Sequence, residues 1–130
     1  RCDSMQLFLE NLMKQTVALP VLTKRLIEQK LGGLCDKRLP PHARDEVRLG
    51  FSILDLEVTL YEDRVDFKNP DVWIKHDVAL FRFDPDTTYW TLHFPDRNGK
   101  WHRYDPAKPS RDFEKLVGLV DVDLNAVFWG

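Results

Sequence analysis

Four charged residues follow a double proline: Arg44, Asp45, Glu46 and Arg48 come directly after Pro40-Pro41-His42-Ala43. Arginine forks suit phosphate or carboxylate recognition, and a neighbouring acid could serve as a base. Alternating charges beside a turn also make a structural ion-pair network. Arg44 and Arg48 are therefore expected to be structural first, with Asp45, Glu46, Glu57 and Glu62 as partners. Prolines leave such a loop few backbone donors, and arginine can bridge a carbonyl, a carboxylate and a strand at once.

His93 and His102 flank an Asn98-Gly99 turn. On facing strands they could approach each other and, with Asp96 or Asp105, hold a divalent metal for hydrolase or nuclease chemistry. No spacing matches a metal signature, so no metal and no cofactor is assigned, and both are expected on a strand surface. Cys35 lies on an apolar stripe and reads as a small core residue. Ser4, Ser52 and Ser110 occupy cap or strand positions, with no nucleophile motif, P-loop or dinucleotide fingerprint around them.

Aromatic and basic residues interleave late in the chain. Trp73, Tyr89, Trp101 and Tyr104 alternate with Lys75, Arg97, Lys100 and Arg103. Aromatic platforms beside cations are how sheets bind single-stranded nucleic acid. Trp101 and His102 must point to opposite faces, and Trp90 is expected in the core. The candidate ligand-binding residues are Arg44, Arg48, Trp73, Trp101, His102, Arg103 and Tyr104.

A chain of 130 residues with 43% hydrophobic residues can build one modest core. A formal net charge of −2 argues against a general nucleic-acid or membrane binder. Two cysteines, Cys2 and Cys35, are too few for a disulfide framework. No apolar run approaches the roughly 18 residues of a membrane span, and the N-terminus lacks the order of a signal peptide. The expected location is cytoplasmic.

The elements that would position these residues follow from periodicity. Met5, Phe8, Leu9, Leu12 and Met13 predict an amphipathic helix over 4–15, suited to packing on the sheet, to a protein partner or to a homodimer contact. A second helix, about 20–36, carries Ile27, Leu31, Leu34 and Cys35 on one stripe. Leu22 and Leu26 lie nearly opposite, so two buried faces are expected. Gly32-Gly33 weakens its last turn, and Pro40-Pro41 ends it.

The period then drops to two. Val47, Leu49, Phe51 and Ile53 predict a first half-buried strand. Leu56, Val58 and Leu60, then Ala79, Phe81 and Phe83, then Trp90, Leu92 and Phe94, predict three more, and residues 100–105 a fifth. Asp84-Pro85-Asp86 and Asp96-Arg97-Asn98-Gly99 are turn chemistry. Short connections make the sheet an antiparallel meander. Val72-Trp73-Ile74 reads as a brief strand or a lip over the core. A final helix capped by Ser110 or Asp112 buries Phe113, Leu116, Val117 and Val120, and Ala126 to Trp129 returns as a short edge strand.

The fold class is thus α+β: N-terminal helices, a five-stranded antiparallel meander, a C-terminal helix and a short edge strand. Three spaced motifs then carry a resemblance. They are Pro40-Pro41-x-x-Arg44-Asp45-Glu46-x-Arg48-x-Gly50, Lys100-Trp101-His102-x-Tyr104-x-Pro106 and the Phe128-Trp129-Gly130 end, with Glu57-x-x-Leu60-Tyr61-Glu62-x-Arg64 and Trp73 between them. Together they resemble a family of short bacterial proteins known as domain of unknown function 3024. The resemblance covers roughly residues 20–130. It implies a single α+β domain over 19–130 with residues 1–18 as a helical extension, and it brings no activity or catalytic residue. The functional expectation is a small intracellular binding or protein-interaction module, more a binder than an enzyme. Single-stranded nucleic-acid binding on the aromatic and basic face is the alternative, and a metal-dependent hydrolase or nuclease a weaker one.

Overall fold

A computed structural model describes residues 18–43 and 45–129 of the chain. Helix α1 spans Val21–Arg38 and a 3-10 turn covers Pro41–Ala43. Five strands follow: β1 (Val47–Leu54), β2 (Glu57–Val65), β3 (Trp73–Phe83), β4 (Trp90–Pro95) and β5 (Trp101–Arg103). Helix α2, Phe113–Val122, comes last. The strands form one sheet in chain order, every neighbour antiparallel. This is the expected α+β meander. The predicted helix over 4–15, and with it the helical extension, lies outside the described residues.

Both helices bury their stripes against one face of the sheet. Ile27, Leu31 and Leu34 of α1 and Phe113, Leu116, Val117 and Val120 of α2 join Val58, Leu60, Ala79, Phe81, Trp90 and Leu92 in one core. Such strands need one face covered, which is why the period of two appears in sequence. Phe113 packs on Phe81 and Trp90, with ring centroids 4.9 and 4.8 Å apart. Between the helices, Lys30 pairs with Glu114 at 3.3 Å and Lys37 with Asp121 at 2.7 Å.

Several expectations need correction. Leu22 is 77% exposed and Leu26 40%, so α1 buries one face and not two. The helix runs two residues past the expected end, through Gly32-Gly33 to Arg38, and stops just before Pro40-Pro41 as expected; packing of Leu31 and Leu34 outweighs the weak intrinsic propensity of glycine. Of the two readings of Val72-Trp73-Ile74, the strand holds for Trp73 and Ile74, but it is not brief: they begin the 11-residue β3, which projects past the core paired to β2. The terminal segment forms no edge strand. Asp123, in the left-handed region at φ 48°, closes α2. Its carboxylate accepts backbone N–H groups from Val127 (2.9 Å), Phe128 (3.2 Å) and Trp129 (2.9 Å). A segment whose donors converge on one side chain has none to give a ladder. Among the described residues, no helix is long and apolar enough to cross a membrane.

Candidate binding face

The side of the sheet away from the helices is fixed by register. Side chains alternate along each strand, and directly opposed residues share a face. One row across this second face runs Ser52, Thr59, Leu80, His93, Arg103. The next runs Leu54, Glu57, Arg82, Thr91. Between Leu60 and Tyr61 the register slips by one residue, with Val78 the extra member of β3. Beyond this bulge the face continues with Gly50, Tyr61 and Asp77, then Arg48, Asp63 and Lys75, then Val65 and Trp73.

Contacts agree with this assignment. The Arg48 guanidinium lies over the Trp73 ring at 4.0 Å, and the Lys75 ammonium over the Tyr61 ring at 4.2 Å. Tyr61 in turn covers Gly50: a Cβ there would meet its hydroxyl at 2.7 Å, so the ring lies where a side chain would stand. Arg82 pairs with its cross-strand neighbour Glu57 at 2.9 Å. Arg48, Lys75, Arg82 and Arg103 are exposed. Glu57, Asp63 and Asp77 share the face, so it is mixed in charge and not uniformly basic.

Leu80 and His93 are cross-strand partners and are buried, yet they stand apart from the helix-side core. The His93 Nε2 atom is 2.9 Å from the Thr91 hydroxyl. Burial, then the nearby Arg82 and Arg103 guanidiniums, lower its pKa from 6.5 to about 4, so the imidazole is neutral at physiological pH. The surface expected for His93 is thus corrected: the middle of a five-stranded sheet is shielded by neighbours on both sides.

His102 is separated from His93. Its cross-strand partner is Phe94 and that of His93 is Arg103, so the two imidazoles lie on opposite faces. The His102 Nε2 atom is 2.7 Å from Asp96 Oδ2. That hydrogen bond, with backbone N–H groups of Lys100 and Asn98, holds Asp96 below the usual carboxylate range. Among the described residues, no three His, Cys, Asp or Glu side chains converge on a metal-sized space.

The other sequence candidates divide by location. Arg48 and Trp73 are brought together at one end of the second face. Trp101 and Arg103 share that face at β5, the opposite edge. Tyr104 is 5% exposed, packs on Phe128 at 5.0 Å and accepts a hydrogen bond from Asn125 Nδ2 at 2.8 Å, which makes it a core residue. Arg44 lies outside the described residues. Among the described residues Arg48 forms no ion pair; Glu57 and Glu62 pair with Arg82 and Arg64 instead. Sequence reasoning names Lys75 among the interleaved cations but misses Tyr61, although β1–β2 alternation puts Tyr61 on the side of Arg48.

A second cluster, also unanticipated, sits on the helix side. Arg38 reaches Asp121 at 3.2 Å, donates to the Asp121 carbonyl at 3.1 Å and stacks on Trp129 at 3.9 Å. Lys37 and Arg38 depress the Asp121 carboxyl, the Lys37 hydrogen bond being the larger cause. A cleft of about 270 Å³ adjoins it, lined by Arg38, Val47, Leu49, Glu62, Arg64 and Trp129 among others. The indole Nε1 of Trp129 donates to the Val120 carbonyl at 2.8 Å. These contacts tie the Phe-Trp end to both helices, a structural role for that motif.

No curated protein and no solved structure matches the chain. A family described as domain of unknown function (DUF3024) matches residues 19–130, from just before α1 through the Phe128-Trp129-Gly130 motif, and the chain belongs to that family.

Proposed function

We propose that the chain is a small intracellular binding module whose binding surface is the second face of the sheet. The observation that carries this reading is the set of exposed cations there, two of them laid on aromatic rings: Arg48 on Trp73 and Lys75 on Tyr61. A cation held flat on a ring has its aliphatic stem ordered in advance, so less side-chain entropy is lost on binding. The separation of His93 from His102 removes the geometry on which a metal-dependent hydrolase reading depended.

Single-stranded nucleic acid is the ligand class favoured by one specific pattern. Trp101 and Arg103 stand two residues apart on the same face, and Trp73 with Arg48 repeats the aromatic and cationic pairing at the far edge. Bases stack on the rings while guanidiniums meet phosphates. Glu57, Asp63 and Asp77 limit the field, so the affinity expected is modest. Filter binding of a single-stranded oligonucleotide at low and moderate salt tests it. Binding should weaken as salt rises and drop in Trp101→Ala and Arg103→Ala. Retention of full binding in both variants would refute this surface. No binding at low salt would refute the nucleic-acid ligand and leave a protein partner as the reading.

A further inference from the structure

We propose that the outer edge of β1 pairs with β1 of a second copy of this chain, joining two five-stranded sheets across a two-fold axis at Gly50. The inference is independent of the binding face.

The backbone sets it up. Val65 N–H donates to the Glu46 carbonyl at 3.0 Å, which makes Glu46 and Val65 a hydrogen-bonded pair. Alternation along the ladder then commits Arg48, Gly50, Ser52 and Leu54 to β2. Val47, Leu49, Phe51 and Ile53 direct their N–H and C=O groups outward. Among the described residues no strand pairs with that side of β1.

Edges of this kind template further pairing, and proteins blunt them with lysine, proline, bulges or short length. β1 is weakly protected by these devices. It is 8 residues long, carries no proline, and has Arg48 as its single charge. The opposite edge, β5, is only 3 residues long. Leu54, at the end of β1, is 72% exposed.

The strand is self-complementary, which selects a second copy over an unrelated strand. With Gly50 facing Gly50, Val47 meets Ile53 and Leu49 meets Phe51 in both directions. Every outward N–H and C=O from Val47 to Ile53 then has a partner. Arg48 faces Ser52, so within the strand no like charges oppose each other. Gly50 on the axis adds no Cβ between the copies, where the two Tyr61 rings already lie over the glycines. A cleft of about 340 Å³ between α1 and β1, lined by Cys35, Asp36, Leu39, Arg48 and Leu49, borders the same edge.

Sedimentation equilibrium of the full chain and two variants at Ser52 tests the proposal. Ser52 is exposed and its side chain makes no hydrogen bond among the described residues, so neither variant should alter the melting curve of the monomer. The wild type should dimerise. Ser52→Lys would face Arg48 of the second copy twice per dimer and should weaken association about tenfold, since like charges directly opposite across a ladder repel. Ser52→Glu would face the same arginine with opposite sign and should keep or tighten the dimer. A wild type that stays monomeric over the whole concentration range overturns the proposal. A dimer that responds alike to both variants overturns it too, because the interface then lies elsewhere.

Discussion

Removing the Asp123 carboxylate should release the C-terminal tail and cost a large part of the stability of the fold. The side chain accepts from three successive backbone N–H groups, those of Val127, Phe128 and Trp129. A hydrogen bond to a charged acceptor contributes about 1.5–3 kcal/mol, but the tail is only part-buried and water can replace some of the loss. The total for the three donors is therefore about 2–4 kcal/mol. In Asp123→Ala a left-handed residue without local hydrogen bonding adds about 1 kcal/mol. Asp123→Gly tolerates that conformation and isolates the carboxylate. Asp123→Asn keeps one acceptor oxygen and should fall roughly halfway. For a domain of this size, about 3 kcal/mol lowers Tm by roughly 10 °C. Urea titration gives the energies, and amide exchange at Val127, Phe128 and Trp129 should quicken before global unfolding. If Asp123→Gly matches wild type within about 0.5 kcal/mol, the carboxylate does not hold the tail and the reasoning fails. If Asp123→Ala alone is damaged, only the backbone conformation mattered.

Two further outcomes follow from the second face. His93 is neutral in the folded protein down to about pH 4, against 6.5 for an unperturbed histidine. The unfolded chain therefore binds the extra proton first, and stability should fall as pH drops from about 6.5 to about 4, with no further loss from this group below that. His93→Gln should flatten this window in pH-dependent unfolding, and an NMR midpoint near 6.5 for His93 would refute the burial argument. Gly50→Ala should cost about 1–3 kcal/mol through overpacking against Tyr61, yet little in a Tyr61→Ala background; equal costs in both backgrounds in a double-mutant cycle would show that the ring is not the obstacle.

What sequence made legible was whatever depends on local period. The stripe Phe113, Leu116, Val117, Val120 is buried throughout, and the Asp96 to Gly99 turn joins β4 to β5 with Gly99 at φ 79°. The meander followed from short turns. What escaped depends on neighbours distant in sequence. Alternation put His93 on the correct face, but its burial comes from β3 and β5 flanking it. Arg48 was matched to carboxylates close in sequence, whereas its partner, Trp73, arrives from β3 only because that strand extends beyond the core. Charged neighbours in sequence suggested partners that geometry did not supply. Arg38 and Trp129 lie far apart in the chain, and no pattern within either segment announces the stack between them.

The single unmatched residue in β3 has a consequence for how this chain can vary. Val78 acts as a phase shifter between two halves of a ribbon. On its C-terminal side, even-numbered positions such as Leu80 and Arg82 lie on the second face; on its N-terminal side, the odd-numbered Trp73, Lys75 and Asp77 do. One-for-one pairing would instead present Ile74 and His76 there and turn Trp73 and Lys75 toward the helices, away from Arg48 and Tyr61. The chemistry of the surface is therefore encoded in a count as well as in residue identities. Two sequences alike at every aromatic and cationic position, but differing by one residue here, would display different surfaces on the same backbone topology.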